Sequence, residues 1–172
     1  MNLEALQRAK DGLQIQDVFL KSSSSKLAEG FDPKFDPRLE SLQLELRTTP
    51  KRSYLIEGVH QGENIAIFRV EMDLGARQVC PFDGEEGEEA QPDVMVQIDA
   101  TFMADYVIAN PELKADREAL DAFAVANAGY HVWPYWREYF SSQVSRMNLP
   151  KVMLPMMQFT KASSASTAQK PE

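Results

Sequence analysis

Residues 130–159 read YHVWPYWREYFSSQVSRMNLPKVMLPMMQF, and this stretch decides how the rest of the chain is read. Trp133, Trp136, Tyr139, Phe140, Val144 and Met147 recur at helical spacing and form one broad apolar, aromatic face. Arg137, Glu138, Ser141, Ser142, Ser145 and Arg146 fall on the opposite side. Pro134 suits a first helical turn, where its missing N–H removes no bond. Pro150 cannot continue the helix and helps to stop it. The run that follows, Val152-Met153-Leu154-Pro155-Met156-Met157, is an apolar arm held open by prolines. Methionines and aromatics on a helix and the loop behind it suggest a surface that adapts to many apolar partners.

Upstream of this helix the pattern changes from a period near 3.6 to a period of two. Ala66, Phe68, Val70, Met72 and Leu74 share one strand face, with Arg69, Glu71 and Asp73 on the other. Val94, Val96, Ile98, Ala100, Phe102, Ala104, Tyr106 and Ile108 share another, opposite Gln97, Asp99, Thr101 and Asp105. Such alternation belongs to an antiparallel sheet with one face covered and one wet. Residues 13–21 and the alternating Leu42, Leu44 and Leu46 add strand character, and Tyr54 to His60 resumes it after Thr49-Pro50-Lys51-Arg52. Short connections without helices favour a meander, with a turn at Gln61-Gly62-Glu63. Ser22–Ser25 and Gly30-Phe31-Asp32-Pro33 read as a linker-like stretch. A first helix starts at Asn110-Pro111-Glu112, with Leu113, Leu120, Phe123 and Ala124 as its stripe, and Ala128-Gly129 ends or bends it. The expected architecture is α+β: a four-stranded antiparallel sheet with helices packed on one face. Residues 13–159 form the domain, between a flexible N-terminus at 1–12 and a Ser/Ala/Thr/Lys-rich, disordered C-terminal tail at 160–172.

The net charge of −8 argues against a phosphate-backbone binder, so no nucleic-acid partner is expected. Cys80 is the only cysteine, which is consistent with a reducing cytosol and rules out an intrachain disulfide. The N-terminal segment lacks the apolar core of a signal peptide, and no apolar run is long enough to cross a bilayer. These features place the protein in the cytoplasm, without membrane insertion.

The run Pro134-Tyr135, Arg137-Glu138, Ser142, Val144-Ser145-Arg146, Pro150, Leu154 and Phe159 resembles the signature helix and following loop of the SecB export-chaperone family. Gln14-Ile15-Gln16, Val18 and Lys21 echo that family's first strand, and Tyr106, Ile108 and Ala109 the end of its last. The resemblance implies an ATP-independent holdase. Such proteins assemble as dimers of dimers and keep unfolded preproteins in long apolar grooves, without a cofactor. The client would lie against Tyr106, Trp133, Tyr135, Trp136, Tyr139, Leu149, Val152, Met153, Leu154, Met156, Met157 and Phe159. Arg137, Ser141, Ser142 and Ser145 would then face a neighbouring subunit of a homotetramer. The chain also departs from the family. Met147 replaces a glycine, and Thr160-Lys161-Ala162-Ser163 stands where a second long helix should begin. The acids that contact the export motor SecA correspond to Ser22, Lys26 and Asp99, of which only Asp99 keeps its charge. A dedicated chaperone of an antitoxin is therefore an alternative to a role in export. An adaptor of the same fold that binds no unfolded chain is another.

Catalytic chemistry is thinly represented. His60, His131 and Cys80 lie in no recognisable motif, and there is no phosphate loop, HExxH or CxxC. An enzyme ranks last. The acidic run Asp83–Glu89 lacks the spacing of a calcium loop and reads as a solvated hairpin connection, so no metal is expected.

Overall fold

A computed structural model describes residues 2–81 and 92–157. The acidic run Asp83–Glu89, Phe159 and the expected tail 160–172 lie outside the described residues, as does the place of the second long helix. Helix α1 (Leu3–Gly12) leads into strand β1 (Leu13–Leu27). Strands β2 (Gln43–His60), β3 (Glu63–Cys80) and β4 (Asp93–Ile108) follow. A 3-10 turn (Pro111–Ala115), helix α2 (Arg117–Ala126) and helix α3 (Ala128–Arg146) complete the order.

The sheet is four-stranded and antiparallel, in the order β1-β4-β3-β2. Strands β2, β3 and β4 run as a meander, but β1 joins beside β4 and not beside β2. The connection of residues 28–42 therefore crosses from one sheet edge to the other. The β2–β3 hairpin closes over two residues, Gln61 (φ 53°) and Gly62 (φ 86°), with His60 paired to Glu63. Two positive φ values in a two-residue loop match the twist of the strands it joins, and glycine supplies the second without a steric cost.

Two sequence readings are corrected at the sheet edges. Ser22–Ser25, expected as linker, continues β1 opposite Thr101, Ala100, Asp99 and Ile98. An edge strand is held by its backbone ladder and needs no apolar side chains, so a serine run is compatible with it. Pro50 does not break β2; it pairs with Met72 beside a register irregularity before Arg52. An edge strand and a bulge are the settings in which a strand accepts proline.

The inner sheet face carries the two expected stripes. Phe68, Val70, Met72 and Leu74 of β3, with Ile98, Phe102 and Tyr106 of β4, are buried. They meet Leu120 and Phe123 of α2, and Val132, Trp136, Phe140 and Val144 of α3. The opposite face is laced by ions. Glu71 is only 1% exposed and takes Lys21 at 2.9 Å and Arg52 at 2.5 Å. Asp105 takes both nitrogens of a fork from Arg69 at 2.5–2.6 Å. Paired hydrogen bonds satisfy the oxygens of both covered carboxylates, and the Lys21 contact, opposed by desolvation, holds Glu71 below its ordinary carboxylate pKa.

The N-terminal segment is also corrected. The segment 1–12, read as polar, flexible and open to a helical reading, carries a helix over residues 3–12 with Ala5, Leu6 and Ala9 buried against α2. Asn2 caps it by accepting from the N–H groups of Glu4 and Ala5. Arg8 pairs with Asp116 at 2.7 Å, and Asp116 also caps α2 through the Ala119 N–H. Ala5, Leu6 and Ala9 were a short helical stripe hidden among charges. The helix expected from Asn110 starts there as a 3-10 turn and is capped a second time at Asp116, where α2 begins.

Candidate functional site: helix α3 and the arm behind it

Helix α3 begins at Ala128, six residues before Pro134, so the proline lies inside the helix and not in its first turn. Its ring occupies an exposed position, where a lost N–H interrupts the ladder without opening the core. The helix does not stop at Pro150. Asn148 adopts φ 57°, and the Asn148 and Leu149 N–H groups return to the carbonyls of Ser145 and Val144 at 3.2 and 3.0 Å. This is a Schellman closure, with Leu149 packed back over the last turn. Pro150 then directs a chain that has already turned.

That turn sends the arm back along its own helix. The Trp133 indole Nε1 donates to the Pro155 carbonyl at 3.0 Å. Leu154 is buried, and the Met157 methyl group lies near Gly129, beside Met72 and Thr48. Side chains along the arm therefore divide. Leu154 enters the core, Val152 and Met157 are half-buried, and Met153 (73% exposed) and Met156 (68%) face outward. Tyr135 of α3 is 48% exposed. The Arg137 guanidinium reaches the Met156 sulfur at 2.8 Å.

The expected client-contact set is thus split by burial. Tyr106, Trp133, Trp136, Leu149 and Leu154 belong to the core and offer little surface in this chain. Tyr106 is fully covered. Its hydroxyl meets His131 Nδ1 at 3.0 Å, and Phe123 packs edge-on at 4.8 Å. Burial pushes the Tyr106 phenol up and the His131 imidazole down, so both stay neutral near pH 7. The reason for the correction is periodicity. The face that carries Trp133, Trp136 and Phe140 is the one a two-layer fold must cover. Tyr139 is half-buried, edge-on to Phe102, with its hydroxyl 3.5 Å from Ser25 Oγ. Tyr135, Val152, Met153, Met156 and Met157 remain at least partly open.

Of the residues expected at a subunit contact, Ser141 and Ser145 are exposed and Ser142 half-buried. Ser145 donates to the Ser141 carbonyl, and Arg146 donates to Ser142 Oγ. The Ser142 and Ser145 hydroxyls bond along their own helix, on a face of small residues. Arg137 turns instead to the arm.

Asp99 sits on the outer sheet face and takes Arg47 at 3.1 Å and Gln97 at 2.6 Å. Gly75 makes this possible, because a Cβ there would lie 2.6 Å from the Asp99 carboxylate. Gly75→Ala is expected to swing Asp99 away from Arg47. An exposed pair of this kind contributes about 1 kcal/mol or less, so the Tm should fall by no more than roughly 4 °C. A scanning-calorimetry loss well beyond that would show that the pair, or the backbone beneath it, matters more than its exposure implies.

Sequence reading missed two exposed apolar features. Phe35 is 82% exposed in the β1–β2 connection, on a turn held by Asp32, which accepts from the Lys34 and Phe35 N–H groups. A small cavity of about 70 Å³ lies between β2 and α2, lined by Tyr54, Leu55, Phe68 and Leu120 with Lys114 and Arg117 at its rim. The Asp32 turn could have been found in the sequence; the cavity depends on strand order.

His131 and Cys80, weighed as a nucleophile and base, are not brought together. His131 lies over Tyr106, which pairs with Phe68 near the start of β3, whereas Cys80 ends the same strand. Twelve strand residues separate those ends by roughly 40 Å at about 3.3 Å each.

No protein-family profile and no curated protein matches the chain. Solved structures do. A SecB-like chaperone of Mycobacterium tuberculosis, in complex with a ChAD peptide from the HigA1 antitoxin, superposes with a TM-score of 0.63. The match covers 90% of this chain and 97% of that one, at 19% sequence identity. The fold is SecB-like. The antiparallel sheet, the helices on one face and the long helix that carries the resemblance all belong to that SecB-like arrangement.

Proposed function

We propose that the protein is an ATP-independent holdase that binds an unfolded, apolar segment of a client along the outward side of the arm and Tyr135. One observation carries this reading. After the core has taken Leu154, Leu149 and Trp133, the arm still presents Met153 and Met156 to solvent. Unbranched thioethers fit many apolar shapes, and an extended client gains roughly 25 cal/mol for each Å² of apolar surface it covers. The likeness to a chaperone solved with an antitoxin peptide supports one dedicated client. The outer sheet face favours that over export. Asp99 is already paired, and Lys21, Arg47, Lys51, Arg52, Arg69 and Arg77 offset the acids there. A motor that reads free acids would find few. Unfolded preproteins and SecA thus form the second, general-export reading, supported by the sequence resemblance alone. The Ser141–Ser145 face would seat a second subunit in a cytoplasmic homotetramer of 19.4 kDa chains.

The test is suppression of aggregation. An unfolding client whose light scattering falls at an equimolar ratio of assembled protein, with no nucleotide added, supports holding. Unreduced scattering at several-fold excess would leave an adaptor of the same fold. A monomer by multi-angle light scattering would remove the tetramer.

A further inference from the structure

Arg137 and Met156 make a contact that client holding does not require. The arm is fastened on its inner side by Leu154 and by the Trp133–Pro155 hydrogen bond. On its outer side the Met156 side chain is largely exposed, and the Arg137 Nη1 lies 2.8 Å from its sulfur. A thioether is a weak acceptor. A sulfoxide oxygen is a strong one, and oxidation of methionine to sulfoxide is reversible by dedicated reductases.

We propose that Met156 is a reversible oxidation site whose sulfoxide is captured by Arg137, fastening the arm to α3. The oxidant is a peroxide. A sulfur lone pair attacks one peroxide oxygen, the O–O bond breaks, and the bonding electrons leave with the other oxygen. With hydrogen peroxide, the proton of the attacked oxygen passes to the departing hydroxide and gives water. Sulfur loses two electrons and the peroxide gains them. The new S–O group lies within the reach of Arg137 and takes a charge-assisted hydrogen bond. An adaptable apolar contact becomes a polar, fixed one, and the arm would then hold an apolar client less well. That last consequence rests on the holdase reading; the chemistry and the fastening do not.

The experiment needs no client. The full chain is treated with hydrogen peroxide and digested with trypsin, and fragmentation of the 152–161 peptide places the added oxygen. Met156 should oxidise at least about tenfold faster than the buried Met72, Met95 and Met103, and methionine sulfoxide reductases should reverse it. Amide exchange over residues 152–157 should slow at least about threefold after oxidation. Arg137→Ala should abolish the slowing while Met156 still oxidises, and Met156→Leu should abolish it with Arg137 in place. Oxidation of Met156 no faster than of the buried methionines would overturn the proposal. So would unchanged exchange in the oxidised protein, or slowing that survives in either variant. A protein that passes these measurements but fails to suppress aggregation would retain the oxidation site and lose the holdase.

Discussion

Trp136→Ala is expected to lower the Tm by roughly 10 °C, and Trp136→Asp by more. The indole is fully buried at the centre of the α3–sheet interface, with Tyr139 and Phe140 ring centroids 6.0 and 5.9 Å away. Truncating a buried tryptophan costs about 3–5 kcal/mol, because the lost contacts leave a cavity that the surroundings only partly fill. For a chain of this size each kcal/mol corresponds to roughly 2–4 °C. Aspartate adds an unpaired charge in the same place. The Trp136 Nε1 is buried without a partner among the described residues, so truncation loses no hydrogen bond and relieves an unpaired donor, which places the expected loss toward the lower end of that range. Calorimetry of both variants checks it. A Tm within 2–3 °C of the parent for Trp136→Ala would mean that this interface contributes little and that the sheet is held elsewhere.

The opposite result is expected one layer further out. Met153→Asp combined with Met156→Asp should leave the Tm within a few degrees of the parent. Substitutions at exposed sites typically shift stability by about 0.5 kcal/mol or less, and both side chains are about 70% exposed. Client binding should fall at least about tenfold, because two charges now line a path that must exclude water. Light scattering and client titration read the binding, and calorimetry reads the fold. Unchanged binding would place the client on another surface, with Phe35 and the cavity beside Tyr54 the next to mutate.

How much of this was legible depends on what each residue's signal reports. The inner stripes of β3 and β4 were legible because both sides of the alternation are strict: Phe68, Val70 and Met72 face in, Arg69 and Asp73 out. The same alternation hid Glu71, which lies on the wet face and is nevertheless covered, since cover there comes from Lys21 and Arg52 on two other strands. Ser22–Ser25 was misread because an edge strand's stability is in its backbone, which composition does not record. Helix α3 was recognised by its aromatics, but its ends were not. Gly129 and Pro134 are poor helix residues that tertiary packing overrides, and the stop depends on the left-handed Asn148. The site divided for a related reason. Sequence identified the apolar excess around Pro150 but not which half of it the core would claim. Leu154 and Met153 are neighbours of similar size, and only the return of the arm along α3 decides which one is hidden.

That return separates two duties that most binding loops combine. Leu154 and the Pro155 carbonyl anchor the arm from within, and Met153 and Met156 stay on its outer side. On the holdase reading, substitutions at the outward positions would retune which partner is accepted while the scaffold stays the same, so related chains would diverge in appetite without first diverging in shape.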